Sequence, residues 1–194
     1  MKLFLILTIF FQASIALRAA DPVFQYHLEI EDSKGRSRDT YLWIPPEIPR
    51  IRGVLMSTQT LIEAYLSSDE QVRKACAEQG IAIVFCKTGS DAEGTQSLLD
   101  RYAEASGYAE LKTVPLFFVG HSAGGGWANR MARDLPDRCF GLMTYRGGLP
   151  WGASADIPSL VMVGQYDEFG GRMRTAEGQE PAWENPRNSL RKML

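Results

Sequence analysis

The side chain best equipped for chemistry is Ser122, which lies in Gly120-His121-Ser122-Ala123-Gly124 directly after the apolar run Val114-Pro-Leu-Phe-Phe-Val119. Such a run reads as a buried strand, and the amphipathic stretch from Trp127 to Leu135 reads as a helix. A serine between strand and helix, with glycine two residues away on either side, predicts a nucleophile elbow that lifts the hydroxyl above the C-terminal edge of a sheet. Gly120 and Gly124 are expected where a Cβ would strike the turn or the neighbouring strand. The Ala123 N–H would then lie in the positive first turn of the helix, ready to donate to an oxyanion formed when Ser122 attacks a carbonyl. A glycine-rich turn that only packs tightly would show the same five residues, and it is the flanking strand and helix that favour the chemical reading.

The elements that must hold this turn are legible on both sides of it. Val23 to Glu31 and Arg38 to Ile44 alternate like strands around Asp32-Ser-Lys-Gly35, which predicts an antiparallel hairpin, and Pro45, Pro46 and Pro49 then break the pattern. Gly53 to Met56 reads as a short strand, Leu61 to Gln79 as one helix stopped by Gly80, and Ile81 to Cys86 as a fully buried strand. A helix over Gly94 to Ser106 and strands near Phe140 to Tyr145 and Ser159 to Val163 complete the pattern. Apolar strands alternating with helices predict an α/β fold, with a mostly parallel sheet covered by helices on both faces.

With 194 residues, 45% of them hydrophobic, the chain suits one sizeable core, and a formal charge of −2 with scattered arginines makes no electrostatic case for nucleic acid. Lys2 followed by the apolar stretch Leu3 to Phe11, fading towards Leu17, reads as a secretory signal peptide over residues 1–20, with the mature domain from residue 21 to 194. Cleavage after Ala16 or after Ala20 both remain open. The apolar run is shorter than the roughly 20 residues a spanning helix needs, which argues against stable membrane insertion. Cys76, Cys86 and Cys139 are odd in number and set among apolar residues, so they read as buried thiols, with one disulfide left open. No His/Cys/Asp/Glu spacing suggests a metal, and Gly124-Gly-Gly126 lacks the Lys-Ser/Thr of a phosphate loop, so neither metal nor cofactor is expected.

An opening hairpin, then βα units, with Gly-x-Ser-x-Gly after the fifth strand, resembles the α/β-hydrolase superfamily over about residues 23 to 194. The resemblance is carried by Gly120 to Gly125 and by Pro158-Ser-Leu-Val-Met-Val-Gly-Gln-Tyr-Asp167, an apolar strand followed by glycine and an acid. About ten residues separate Gly148 from that strand, too few for the inserted lid of many lipases, which implies an open site. Export and an open site point by analogy to secreted carboxylesterases resembling dienelactone hydrolases, polyhydroxyalkanoate depolymerases or acyl-polysaccharide esterases.

A serine hydroxyl is a weak nucleophile and needs a base oriented by an acid. The resemblance assigns Ser122 as nucleophile and Asp167 as acid, with Glu168 as a substitute and Asp156 a poor candidate because it precedes the strand. A turn aspartate capping the next segment is the plainer reading of Asp167. The base has no candidate: the two histidines are His27, on the hairpin, and His121, inside the elbow, whereas the superfamily places its histidine after the acid and beyond an eighth strand. On this reading the fold is C-terminally incomplete, with the last strand and helix missing after a helix over Asn188 to Leu194, and the 194 residues alone are inactive. Ala123 supplies one oxyanion donor, and the loop after the third strand supplies the second near Thr58 or Gln59, although these two residues would equally suit capping the helix near Leu61. Arg146, Trp151 and Trp183 are further candidates for the cleft wall.

The expected function is a secreted or periplasmic serine hydrolase that cleaves carboxylic esters, on small molecules or on a polymer, through an acyl-enzyme on Ser122. A binding protein of the same fold without the base, and a peptidase, are the alternatives. Oligomeric state and substrate identity have no signature in the sequence.

Overall fold

The computed structural model describes residues 23–31, 35–58, 61–150, 152 and 156–163. The alternating stretches form the expected hairpin, with β1 (Tyr26–Glu31) antiparallel to β2 (Ser37–Trp43) and Glu29 opposite Asp39. The apolar runs form β3 (Gly53–Thr58), β4 (Ile81–Cys86), β5 (Leu116–His121), β6 (Cys139–Tyr145) and β7 (Ser159–Met162). Together they make one seven-stranded sheet in the order β1-β2-β4-β3-β5-β6-β7. From β4 to β7 every neighbouring pair is parallel, and β2 joins β4 antiparallel.

After β3 the chain returns to pair on one side as β4, then crosses to the other side of β3 as β5. The C-terminal ends of β3 and β5 therefore adjoin where the winding direction reverses, the place at which open α/β sheets bind ligands. This strand order, with the Gly-x-Ser-x-Gly turn leaving β5, is the α/β-hydrolase arrangement that the sequence resembles.

One expectation about the helices is corrected. The stretch from Leu61 to Gln79 is two helices, α1 (Glu63–Ser68) and α2 (Glu70–Gln79), parted at Asp69, whose φ of −65° and ψ of 131° are extended. Apolar periodicity does not register such a break, because the Asp69 side chain replaces the lost helical bonds by accepting from the N–H groups of Gln71 and Val72. Gly80 ends α2 in the left-handed conformation at φ 69°, where L side chains are disfavoured. Helices α3 (Ala92–Ser106) and α4 (Ala123–Asp134) fall close to their expected places, α3 starting earlier because Asp91 caps it at the Gly94 N–H.

The helices cover both faces. On one face Leu98, Leu99 and Tyr102 of α3 and Trp127 and Met131 of α4 pack on Val54, Met56, Val84, Leu116, Phe118 and Leu142. On the other, Cys76 of α2 meets Trp43 and Ile83. This parity settles the cysteines: Cys86 lies in the first cluster and Cys76 in the second, on opposite sides of the sheet, and all three thiols are free and buried. Burial pushes the thiols of Cys76 and Cys86 up to about 11 and about 12, and raises that of Cys139, so all three are poor nucleophiles at neutral pH.

The expected signal segment over residues 1–20 and the expected helix over Asn188 to Leu194 lie outside the described residues, within which no helix is long and apolar enough to cross a membrane. The break at Asp69 yields a test. Asp69→Ala removes the acceptor for two N–H groups and should lower stability by about 1 kcal/mol, while Asp69→Asn should stay near wild type. Urea unfolding followed by circular dichroism measures both, and equal midpoints for Asp69→Ala and wild type would show that the cap carries no weight.

Candidate active site

Strand β5 ends at His121, α4 begins at Ala123, and Ser122 alone makes the turn. Its φ of 52° and ψ of −116° put a non-glycine residue in a strained region, the conformation expected of a nucleophile elbow. Ser122 is exposed, although the strand leading to it is buried. The turn is fixed from both directions, for the Ser122 N–H donates to the Tyr145 carbonyl of β6 at 2.9 Å, and the Ser122 carbonyl accepts from Gly125 and Gly126.

The glycines do distinct work. A Cβ on Gly120 would lie 2.0 Å from the Gly124 carbonyl oxygen, a clash with backbone that nothing nearby can relieve. The close approach to a neighbouring element involves Gly125, whose added Cβ would lie 2.4 Å from the Cα of Gly147, in the loop after β6. Gly125 was part of the motif only as a trailing residue, and its contact partner lies 22 residues on, so spacing within the motif does not disclose this role. Trp127, one turn into α4, donates its indole N–H to the Ser90 carbonyl at 2.8 Å and stands edge-on to Phe118, which binds the helix to the loop after β4.

Ala123 is exposed at the first position of α4, where a backbone N–H has no acceptor within its helix. Thr58, proposed for the second donor, closes β3 and is buried at the edge adjoining the elbow. Gln59 lies outside the described residues, as do Asp167, Glu168, Trp151 and Trp183. The alternative that Thr58 caps the following helix is corrected: α1 has Ile62 at its N-cap and no side-chain cap. Arg146 follows β6 with φ 53° and its N–H donates to the Met162 carbonyl, fixing the loop that carries Gly147. Asp156 is exposed ahead of β7.

Residue 63 has no part in the sequence reading, yet it shapes the site. Glu63 is fully buried, and its Oε1 accepts from the backbone N–H of His121 at 2.7 Å. Its Oε2 accepts from the N–H groups of Leu61 and Ile62 at 3.2 Å each. An acid in the first turn of a helix ordinarily reads as a solvated partner of the helix dipole, which conceals such a role. Leu61 and Tyr65, on either side of it, stand 72% and 78% exposed and give this rim an apolar character.

Neither histidine is placed to serve Ser122. The His121 ring is buried against Tyr145, with centroids 5.3 Å apart. His27 lies on β1, four strand spacings from β5, which is roughly 19 Å. There its Nε2 pairs with Asp39 at 2.9 Å, while Lys87 Nζ holds the other carboxylate oxygen at 2.6 Å. Lys87 first and His27 second hold the Asp39 carboxyl below its ordinary value. The hairpin register also gathers His27, Glu29 and Asp39, with ligand atoms within 4.8 Å of one another, a clustering that linear spacing did not reveal. Internal donors already engage both acids, Ser37 bonding Glu29 at 2.8 Å.

Neither a protein-family model nor a curated protein matches the chain. Among solved structures it is similar to a dienelactone hydrolase from Anabaena variabilis, at 18% identity and TM-score 0.48, over 73% of this chain and 74% of that one. It is similar to a cold-adapted esterase from an Arctic intertidal metagenomic library, at 20% identity and TM-score 0.46, over 71% of this chain and 68% of that one. The enterochelin esterase of Shigella flexneri aligns over 91% of this chain and 51% of its own length, at 13% identity and TM-score 0.48.

The elbow geometry separates two substitutions of like size. Gly120→Ala should prevent native packing of the turn and destabilise by about 3 kcal/mol or more. Gly126→Ala, where an added Cβ meets nothing within 4 Å, should stabilise α4 by about 0.5 to 1 kcal/mol. Thermal unfolding of the two variants side by side checks this, and the reverse order would disprove the packing described.

Proposed function

We propose that this protein is a serine hydrolase acting on carboxylic esters, with Ser122 as the nucleophile. The observation that carries the reading is an exposed serine with left-handed φ, standing between the end of a buried parallel strand and the head of a helix. No stability requirement calls for a strained, solvent-facing serine there. In the proposed reaction Ser122 Oγ attacks the ester carbonyl while its proton passes to a general base. The alkoxide of the tetrahedral intermediate accepts from the Ala123 N–H and from an N–H of the Thr58–Gln59 segment. Collapse expels the alcohol, protonated by the same base, and water then releases the acid from the acyl-enzyme. Asp167 orients the base. The apolar rim at Leu61 and Tyr65 suits a substrate with an apolar acyl or alcohol group.

Neither His27, on β1, nor His121, packed against Tyr145, is placed to act as that base. Export, directed by residues 1–20, belongs to the same proposal, with residues 21–194 forming the hydrolase domain. The placement of both histidines also supports a second reading, a binding protein that keeps the cleft without the base. Expression of the full-length protein decides between them. For the hydrolase, the product should cleave short p-nitrophenyl esters and take up a fluorophosphonate, and Ser122→Ala should abolish both with its fold intact, since loss of a triad member costs on the order of a million-fold in turnover. Ligand retention without either activity would favour the binding protein, and activity of Ser122→Ala within about tenfold of wild type would exclude Ser122.

A further inference from the structure

We infer that Glu63 is the positioning residue that ties the nucleophile elbow to the head of α1, an inference that rests on the hydrolase reading above. Among the described residues no other Asp, Glu, Lys or Arg is buried. Placing a carboxylate there carries a large desolvation cost unless several donors meet it. Three backbone N–H groups do so, and they belong to the two segments that the proposed chemistry must hold in register.

The need for such a group follows from the sheet. Among the described residues the pairing of β3 with β5 ends at Ser57 opposite Val119, and the N–H of His121 lies two residues further along. Glu63 Oε1 accepts from that N–H and satisfies the donor next to the nucleophile. On the opposite side the Ser122 N–H bonds Tyr145 of β6, so the peptide groups on either side of His121 are held from both neighbouring elements. Glu63 Oε2 meanwhile gathers the N–H groups of Leu61 and Ile62, immediately after the segment from which the second oxyanion donor is drawn. Helix α1, only six residues long, is anchored on the sheet by a second buried polar contact, Ser57 Oγ to Ser67 Oγ at 3.1 Å. One side chain thereby ties the elbow, whose Ala123 N–H the proposed chemistry uses, to the backbone at Leu61 and Ile62. The proposed chemistry depends on that placement, since a donor misplaced by about 1 Å forfeits most of its effect on the transition state.

Glu63→Gln tests the inference. Both carboxylate oxygens accept from N–H groups, so the amide NH2 of glutamine must face at least one donor and break that bond while keeping the shape. Two measurements are made on the full-length protein. Hydrogen exchange should quicken by roughly ten- to hundredfold at His121 and Ser122, with the amides of β4 unchanged. The kcat on p-nitrophenyl acetate should fall roughly a hundredfold with KM within about twofold of wild type. Exchange at the elbow unchanged from wild type overturns the inference, as does a Glu63→Gln enzyme that turns over at the wild-type rate. A wild type that neither hydrolyses the ester nor takes up a fluorophosphonate overturns the hydrolase reading and with it the catalytic role of Glu63, whereas exchange still decides whether the coupling exists. If Glu63→Gln does not fold, Glu63→Asp, which keeps both oxygens with a shorter reach, is read in the same way: faster elbow exchange and lower kcat support the inference, and wild-type values overturn it.

Discussion

The left-handed backbone at Ser122 is the constraint on which the rest of the site depends. A non-glycine residue in such a region costs of order 1 to 3 kcal/mol and persists only where its surroundings leave no alternative. Beside the Glu63 carboxylate on the His121 N–H, those surroundings are backbone: the Tyr145 carbonyl on one side, the Gly125 and Gly126 N–H groups on the other, and close approaches at Gly120 and Gly125 that exclude any Cβ. Parallel strands on both sides of β5 and the start of α4 are therefore conditions for the serine to face solvent. Burial of Leu116, Phe118 and Val119 on the incoming strand and of Trp127, Ala128 and Met131 on the outgoing helix supplies the offsetting free energy.

Much of this was legible in the sequence, because the strongest signals are local. Ile81–Cys86 is a strand with the bounds its apolar run suggests, and the elbow lies where Gly-x-Ser-x-Gly places it. What remained hidden depends on residues far apart in the chain or on one side chain overriding a pattern. Asp69 splits an apparently continuous helix through two hydrogen bonds that hydrophobic periodicity does not sense. Glu63 meets His121 across 58 residues, so no spacing rule connects them. Gly147 is recognisable as the counterpart of Gly125 only once β6 is laid beside β5.

Buried polar contacts tie the antiparallel end of the sheet to its parallel part. The Tyr102 hydroxyl on α3 donates to Thr40 Oγ1 on β2, which in turn donates to the Leu28 carbonyl on β1. Burial first, tempered by the Thr40 bond, pushes the Tyr102 phenol well above its ordinary range, so it stays protonated as the donor this chain of bonds requires. Arg101, its neighbour on α3, reaches the Glu29 carbonyl at 2.8 Å and adds a second tie to β1. The hairpin is thus held by α3 as well as by its ladder with β4, and the sheet continues into it as one body.

The position of β3 between β4 and β5 also has a kinetic meaning. Contacts between the sheet and the segments around it span long stretches of chain: 59 residues from Ile51 to Glu110, 62 from Thr40 to Tyr102, and 58 from Glu63 to His121. Loops of that length must close before these contacts return any stabilisation, so the hairpin and the separate helices are expected to form ahead of them. The bond between Glu63 and His121 is expected among these later contacts. Interactions made after the folding barrier govern how fast the native state is lost rather than how fast it is reached. The carboxylate beside the elbow therefore acts as a latch on the lifetime of the folded protein.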